Sequence, residues 1–282
     1  MQKLKKYRNK KIFSYVLFFL LSISYKNILP ALELEGNFIQ GGLAFGKVKE
    51  DVKVFFNSAN VPVYKDGSFV IGFSRNNDNV SLIKLIYRNN EILEKYIKIK
   101  KRKYKIQKIN NLDKEKVEPP KSYYDRIKKE IGLVRKAKKK LYNFPYYRAG
   151  FMMPVKGIIT GVYGSQRILN GIPRRPHYGI DIANKKGTII LSPSDGVIVL
   201  AENDLYFSGG TIVISHGMGI TSSLLHLSKL EVEVGDKVKK GQRVGLMGST
   251  GRSTGPHLDW RMEVNGVRID PNIVLSLENK IM

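Results

Sequence analysis

The chain has 282 residues, with 49 Lys and Arg against 24 Asp and Glu, a net charge of +25, 42% hydrophobic residues and no cysteine. Its length suits one or two ordinary domains, and its apolar content excludes a wholly disordered or collagen-like chain. The missing cysteine excludes disulfide scaffolds and thiolate metal sites, so any metal must be held by histidine and carboxylate.

At the N-terminus, Lys3, Lys5, Lys6, Arg8, Lys10 and Lys11 precede an apolar run over 12–24. A charged stretch followed by a short hydrophobic one is the order of an export signal, and 13 residues fall short of the roughly 20 that a bilayer-spanning helix needs. The expected result is a signal over 1–24, cleaved near Ser24, or an uncleaved inner-membrane anchor, and a periplasmic or cell-envelope location. The positive charge is concentrated ahead of residue 151, since 151–282 hold 15 basic and 11 acidic side chains. Neither a helix-turn-helix nor an aromatic RNA-binding signature accompanies it, so a nucleic-acid partner is not expected. The excess reads as solvated surface that attracts anionic wall or lipid groups.

From 32 to 109 the sequence alternates in short strands. Asp51-Val-Lys-Val-Phe-Phe, Val61-Pro-Val-Tyr, an Asp66-Gly67 turn and Ser68-Phe-Val-Ile-Gly-Phe lead to two alternating segments flanking Asn89-Asn90. Alternation broken by Asp-Gly is a hairpin signature, and a small antiparallel β-sandwich serving as an accessory domain is expected here. Over 110–150 a basic helical linker follows Pro119-Pro120. Ser122 and Asp125 resemble a capping pair, and Tyr124, Ile127, Ile131, Val134 and Leu141 recur at helical spacing before Asn143 and Pro145. Residues 151–282 return to short Val/Ile-rich runs cut by glycines, an all-β pattern. The fold class expected is mainly β.

All four histidines, His177, His216, His226 and His257, lie in this last segment. In His177-Tyr-Gly-Ile-Asp181 an imidazole and a carboxylate flank a glycine, and both donor types suit Zn²⁺. In Gly251-Arg-Ser-Thr-Gly-Pro-His257-Leu-Asp259-Trp260 a glycine-rich turn enters a strand on which His257 and Asp259, two apart, share a face. Leu224-Leu-His226-Leu-Ser228 offers a further imidazole on another strand. Tyr163, Tyr206 or Trp260 are candidates to line a groove beside them.

At these residues the sequence resembles the lysostaphin/LytM-type zinc metallopeptidases, the duplicated hybrid motif fold. The resemblance runs over roughly 151–275, through Val162-Tyr-Gly-Ser-Gln-Arg167, the His177 to Asp181 pair, Asp195-Gly-Val, His226-Leu-Ser, the Val234 to Gln242 segment and Thr250 to Trp260. It implies that His177 and Asp181 are metal ligands and that His226 and His257 are the two catalytic imidazoles. At the position of the family's second ligating histidine this chain has Asp259. A His-Asp-Asp set can hold Zn²⁺ with an open fourth position, but two carboxylates cancel the ion's charge and should leave its water less acidified. Coordination by His257 in place of Asp259 is compatible with the spacing. His216, at a β-turn, is read as structural.

The function implied by the resemblance is a zinc-dependent endopeptidase, one Zn²⁺ per chain, that hydrolyses peptidoglycan peptide cross-links with metal-activated water. The alternative is a non-catalytic envelope regulator, an amidase activator or wall-binding module, with an altered metal site. Peptidoglycan and other cell-envelope hydrolases are the partners expected, with membrane contact only through an uncleaved signal.

Overall fold

The structure, a computed structural model, describes residues 32–49, 51–140 and 142–276. The export signal expected over 1–24, and Leu141 of the expected helix, lie outside these residues. Among the described residues no helix is long and apolar enough to cross a membrane.

Two antiparallel sheets come first. One is ordered Leu34–Gly36, Leu43–Lys47, Ser68–Gly72, and the other Ala59–Val61, Lys53–Phe56, Val80–Ile86, Ile92–Lys98. Alternation decides which side chains turn inward: along Val80–Ile86, Ser81, Ile83 and Leu85 are buried while the residues between them are not. Phe73 joins the two layers, its ring centroid 5.7 Å from those of Phe38 and Phe56. The Asn89-Asn90 turn closes a hairpin with seven paired positions, with Asn90 at φ 62°. Asp66-Gly67 behaves differently from expectation. Its turn is closed by a bond from the Gly67 amide to the Tyr64 carbonyl, but Ala59–Val61 before it pairs with Lys53–Phe56 while Ser68–Gly72 after it pairs with Leu43–Lys47. The turn passes the chain from one sheet to the other instead of folding a strand back on its neighbour.

The strand Ile106–Ile109 pairs within neither of these sheets. It runs parallel to Gln166–Leu169, with Gln166 opposite Ile106 and Leu169 opposite Ile109. A short helix, Lys114–Val117, capped by the Asp113 carboxylate on the Glu115 amide, precedes the longer helix Tyr124–Lys138. Ser122 caps nothing, because a 3₁₀ turn over Lys121–Tyr123 leads directly into that helix. Val134 and Ala137 pack on the buried cluster of Val199, Leu200, Leu205 and Val213. The ion pair of Lys138 with Glu263, at 2.8 Å, fixes the helix end.

A ten-stranded sheet carries the rest. Its main path runs Lys237–Val238, Gly196–Leu205, Gly209–Ser215, Ile220–Leu230, His257–Val264, Gly179–Ala183, Ile158–Gly161. Two neighbouring strands show how the site is placed. On Gly179–Ala183, Ile180 and Ile182 enter the core, and on His257–Val264 so do Leu258, Trp260 and Met262. The period of two therefore sends Asp181 on one strand, and His257, Asp259 and Arg261 on the other, to the opposite face. Ile180 pairs with Trp260, and Asp181 stands opposite Asp259.

Candidate metal and catalytic centre

Two carboxylates directly opposite one another on adjacent strands repel, and these two are buried, Asp181 at 5% and Asp259 at 1% exposure. Cations must compensate for that arrangement. Arg167 pairs with Asp181. Arg261 spans Asp259, with Nε donating at 3.1 Å to Oδ1 and 3.0 Å to Oδ2. Burial and the facing Asp259 push the Asp181 carboxyl up, but His177 and Arg167 outweigh them and hold it below the usual carboxylate range. Burial opposes ionisation of Asp259 too, and Arg261 with His177 overcomes it, so that carboxyl lies far below the usual range. Both groups are anionic at neutral pH.

His177 completes the set. One ligand atom each from His177, Asp181 and Asp259 can be chosen so that all three lie within 4.8 Å of one another. Both ring nitrogens of His177 and Oδ1 of Asp181 are buried without a hydrogen bond, although His177 Nε2 and Asp181 Oδ1 are 3.2 Å apart. Their proximity without hydrogen-bond alignment leaves both to a third partner, since buried polar atoms are seldom unsatisfied. Gly161, opposite Asp181 on the adjacent strand, packs so closely on that carboxylate that no side chain fits there. A borderline nitrogen and two hard oxygens are suitable ligands for a divalent cation, and the site fits one.

Beside this set stand the two other imidazoles, with ring centroids 4.7 Å apart. His226 Nδ1 lies 2.7 Å from the Thr250 carbonyl, and His257 Nδ1 lies 2.9 Å from the Gly255 carbonyl. A carbonyl can only accept, so the protons are assigned to Nδ1 and each Nε2 keeps its lone pair. His257 Nε2 is 3.9 Å from Asp181 Oδ1. Burial, then the neighbouring His257, pushes the His226 imidazole down to about 4, so it is neutral at pH 7. His226 also adopts φ 67°, a left-handed conformation uncommon for a residue with a side chain. The pairing of its strand shifts there, between Gly210 and Ile212 on the adjacent strand, and such a bulge re-aims a side chain.

A cleft of about 290 Å³ contains Asp181, His226 and His257. Its walls include Gln107, Ile109 and Leu112 from the segment before the helices, and Arg252 from the glycine-rich turn. Tyr163, Tyr206 and Trp260 do not line it. Trp260 is fully buried with Nε1 donating to Ser222 Oγ, Tyr163 donates to the Arg268 carbonyl and Tyr206 to the Glu115 carbonyl. His216 lies apart in a buried network, Nδ1 2.7 Å from the Asp195 carbonyl and Nε2 2.8 Å from Ser222 Oγ. Sequence reading did not single out Arg261 or assign a role to Arg167. The one available signal was Arg261 at the next alternate position after Asp259, on the same strand face.

Ligands suited to a divalent cation beside two imidazoles with unprotonated Nε2 atoms are a metallopeptidase's equipment, and comparison with known proteins agrees. Residues 175–271 match Peptidase family M23, and the chain carries a domain of that family. Peptidoglycan DD-endopeptidase ShyA of Vibrio cholerae is 45% identical over 102 residues, 36% of this chain and 24% of ShyA. Glycyl-glycine endopeptidase ALE-1 of Staphylococcus capitis is 43% identical over 96 residues, 34% of this chain and 26% of ALE-1. The chain thus matches about a quarter of the length of these curated relatives. A solved Pseudomonas aeruginosa chain assigned to peptidase M23 superposes with a TM-score of 0.63 at 25% identity, covering 85% of this chain and 95% of that one.

Proposed function

We propose that this protein is an exported zinc endopeptidase that hydrolyses peptide cross-links of peptidoglycan in the cell envelope. The observation that carries the reading is the convergence of His177, Asp181 and Asp259 within 4.8 Å, beside His226 and His257 in one cleft. His177, Asp181 and Asp259 would hold Zn²⁺, which supplies Lewis acidity toward a peptide carbonyl and an attacking water.

The chain's own residues perform the rest. The cleft admits an extended peptide between the strand Ile106–Ile109 and the glycine-rich turn. Carbonyl contacts at Nδ1 orient His226 and His257 so that Nε2 of one accepts the proton of the attacking water and returns it to the leaving amine. Burial keeps His226 uncharged at rest, and His257, with 17% side-chain exposure, stands at the more open side of the pair. Arg167 and Arg261 keep both ligand carboxylates ionised. The ShyA and ALE-1 likenesses support the substrate class.

The test combines metal analysis of the purified protein with mass spectrometry of digested cell-wall sacculi. About one Zn²⁺ per chain and released cross-link peptides are expected; a metal-loaded, folded sample that leaves every cross-link intact overturns the reading. The ion pair of Arg261 with Asp259 favours a second reading, a non-catalytic envelope regulator in which the guanidinium stands where a cation's charge would. That reading requires an empty site and stimulation of a partner hydrolase that survives Asp181→Ala.

A further inference from the structure

The cleft holds more guanidinium charge than the carboxylates in it consume. Arg167 is taken up by Asp181 and Arg261 by Asp259. Arg252 lines the same cleft as His226 and His257, yet among the described residues it forms no ion pair. A guanidinium has five N–H donors, and in this one a single contact is satisfied within the protein, from Nη1 to the Lys116 carbonyl at a long 3.4 Å.

The side chain is nonetheless held in place. Its guanidinium carbon lies 4.8 Å from the centroid of the Phe207 ring, a cation–π contact, and its own amide donates to the Phe207 carbonyl at 2.8 Å. Gly251 before it has φ 67° and packs so closely that a Cβ would come within 2.5 Å of the Gly209 amide nitrogen, so the turn that presents Arg252 admits only glycine there. On the other side, the Lys116 ammonium sits 3.8 Å from the Tyr206 ring centroid, which anchors the segment whose carbonyl Arg252 contacts. Burial and the nearby Arg261 and Arg167 push the Arg252 guanidinium down to about 10, which still leaves it charged at neutral pH. A planar cation with most donors unspent, fixed at both ends and facing a cleft, matches a carboxylate, which it can take in a two-pronged grip.

We infer that Arg252 is a specificity-determining residue that binds a free carboxylate on the peptide substrate close to the scissile bond, selecting acidic cross-linked peptides over neutral ones. The inference rests on the endopeptidase reading for what occupies the cleft. It adds a chemical requirement on the occupant: an anionic side chain or terminus, to which Thr254 in the same wall offers a hydroxyl.

The experiment uses the full zinc-loaded chain and two probes, a cross-linked stem-peptide dimer with free carboxylates and the same dimer with those groups converted to carboxamides. For the wild type, amidation should lower kcat/KM about ten- to hundredfold, the cost of losing a charge-assisted hydrogen-bonded pair. In Arg252→Gln the two dimers should be cleaved at nearly equal rates, and Arg252→Lys should recover part of the preference, because it keeps the charge but not the fork. Equal cleavage of both dimers by the wild type, or a preference that persists in Arg252→Gln, overturns the inference while leaving the endopeptidase reading intact. If the wild type cleaves neither dimer, the endopeptidase reading fails. Calorimetric titration of the same two dimers then decides the inference alone: tighter binding of the carboxylate form, lost in Arg252→Gln, supports it, and equal or absent binding overturns it.

Discussion

Arg261 lies two residues beyond Asp259 on the same strand face, and its guanidinium donates hydrogen bonds to both oxygens of the Asp259 carboxylate. This neighbour makes an aspartate tolerable where the resemblance leads one to expect a neutral imidazole. Facing Asp181 across the strands, Asp259 alone would add a second buried negative charge. With Arg261 beside it and Arg167 beside Asp181, the pair of carboxylates is matched by a pair of guanidinia, and the charge of a bound divalent cation is left in excess.

Removing Arg261 should therefore destabilise the metal-free chain and increase its dependence on metal. Breaking a buried ion pair from one side costs about 3–5 kcal/mol. Arg261→Ala should unfold at lower urea concentration than the wild type when zinc is chelated, and should regain more stability than the wild type when zinc is added. An equal zinc increment in both proteins would show that Arg261 does not compensate the site.

Metal binding to the folded chain alone should appear as thermal stabilisation. At a free Zn²⁺ concentration about a hundred times Kd the gain is about 2.7 kcal/mol. Differential scanning calorimetry with zinc and with chelator should show the shift in the wild type and none in Asp181→Asn, which keeps the size of the side chain but loses the anionic donor. A shift that persists in Asp181→Asn would place the ion elsewhere.

His226→Ala should lower turnover of sacculi by about 10²- to 10⁴-fold, the usual contribution of a positioned acid–base group, while zinc content stays at wild-type level. Loss of metal together with activity would instead make His226 a ligand.

Acid should weaken the fold through His216. Burial, against a smaller pull from the Asp195 carbonyl, lowers this imidazole from 6.5 to about 4. Between those values the unfolded chain binds the proton and the folded chain does not, so stability is full above about pH 6.5 and falls as pH drops toward 4, by on the order of 3 kcal/mol for this group. His216→Gln can still donate to the Asp195 carbonyl and accept from Ser222, and should show a shallower decline. Urea unfolding at a series of pH values between 4 and 7 measures both slopes.

The histidine motifs and the period of two were enough to read the β architecture and the residues that meet in the site, because Ile180, Ile182, Leu258 and Trp260 alternate with Asp181, His257 and Asp259 along two short strands. The partners that tune those residues were not legible. Arg167 reaches Asp181 from fourteen positions away, and nothing in its local pattern separates it from a solvated arginine. The left-handed backbone at His226 arises from a shift in pairing with Gly210 and Ile212, a tertiary event without a local signature. Tyr163, Tyr206 and Trp260 were equally suited to cleft or core, and the core took them because each found a hydrogen-bond acceptor there. The turn at Asp66-Gly67 has the residues of a hairpin, but strand partners are chosen by packing of Phe69, Ile71 and Phe73, not by the turn.

The parallel strand Ile106–Ile109 makes one boundary of the cleft from a stretch of chain that precedes the histidine motifs by some seventy positions. Gln107 donates to the Thr160 carbonyl at 2.9 Å, and Ile109 and Leu112 face the same space as His257. Cutting the chain at the start of the histidine-bearing half would thus open the trench along one flank. The shape of the space beside the two imidazoles is set by two distant segments together, so a change in either one alters what the other can admit.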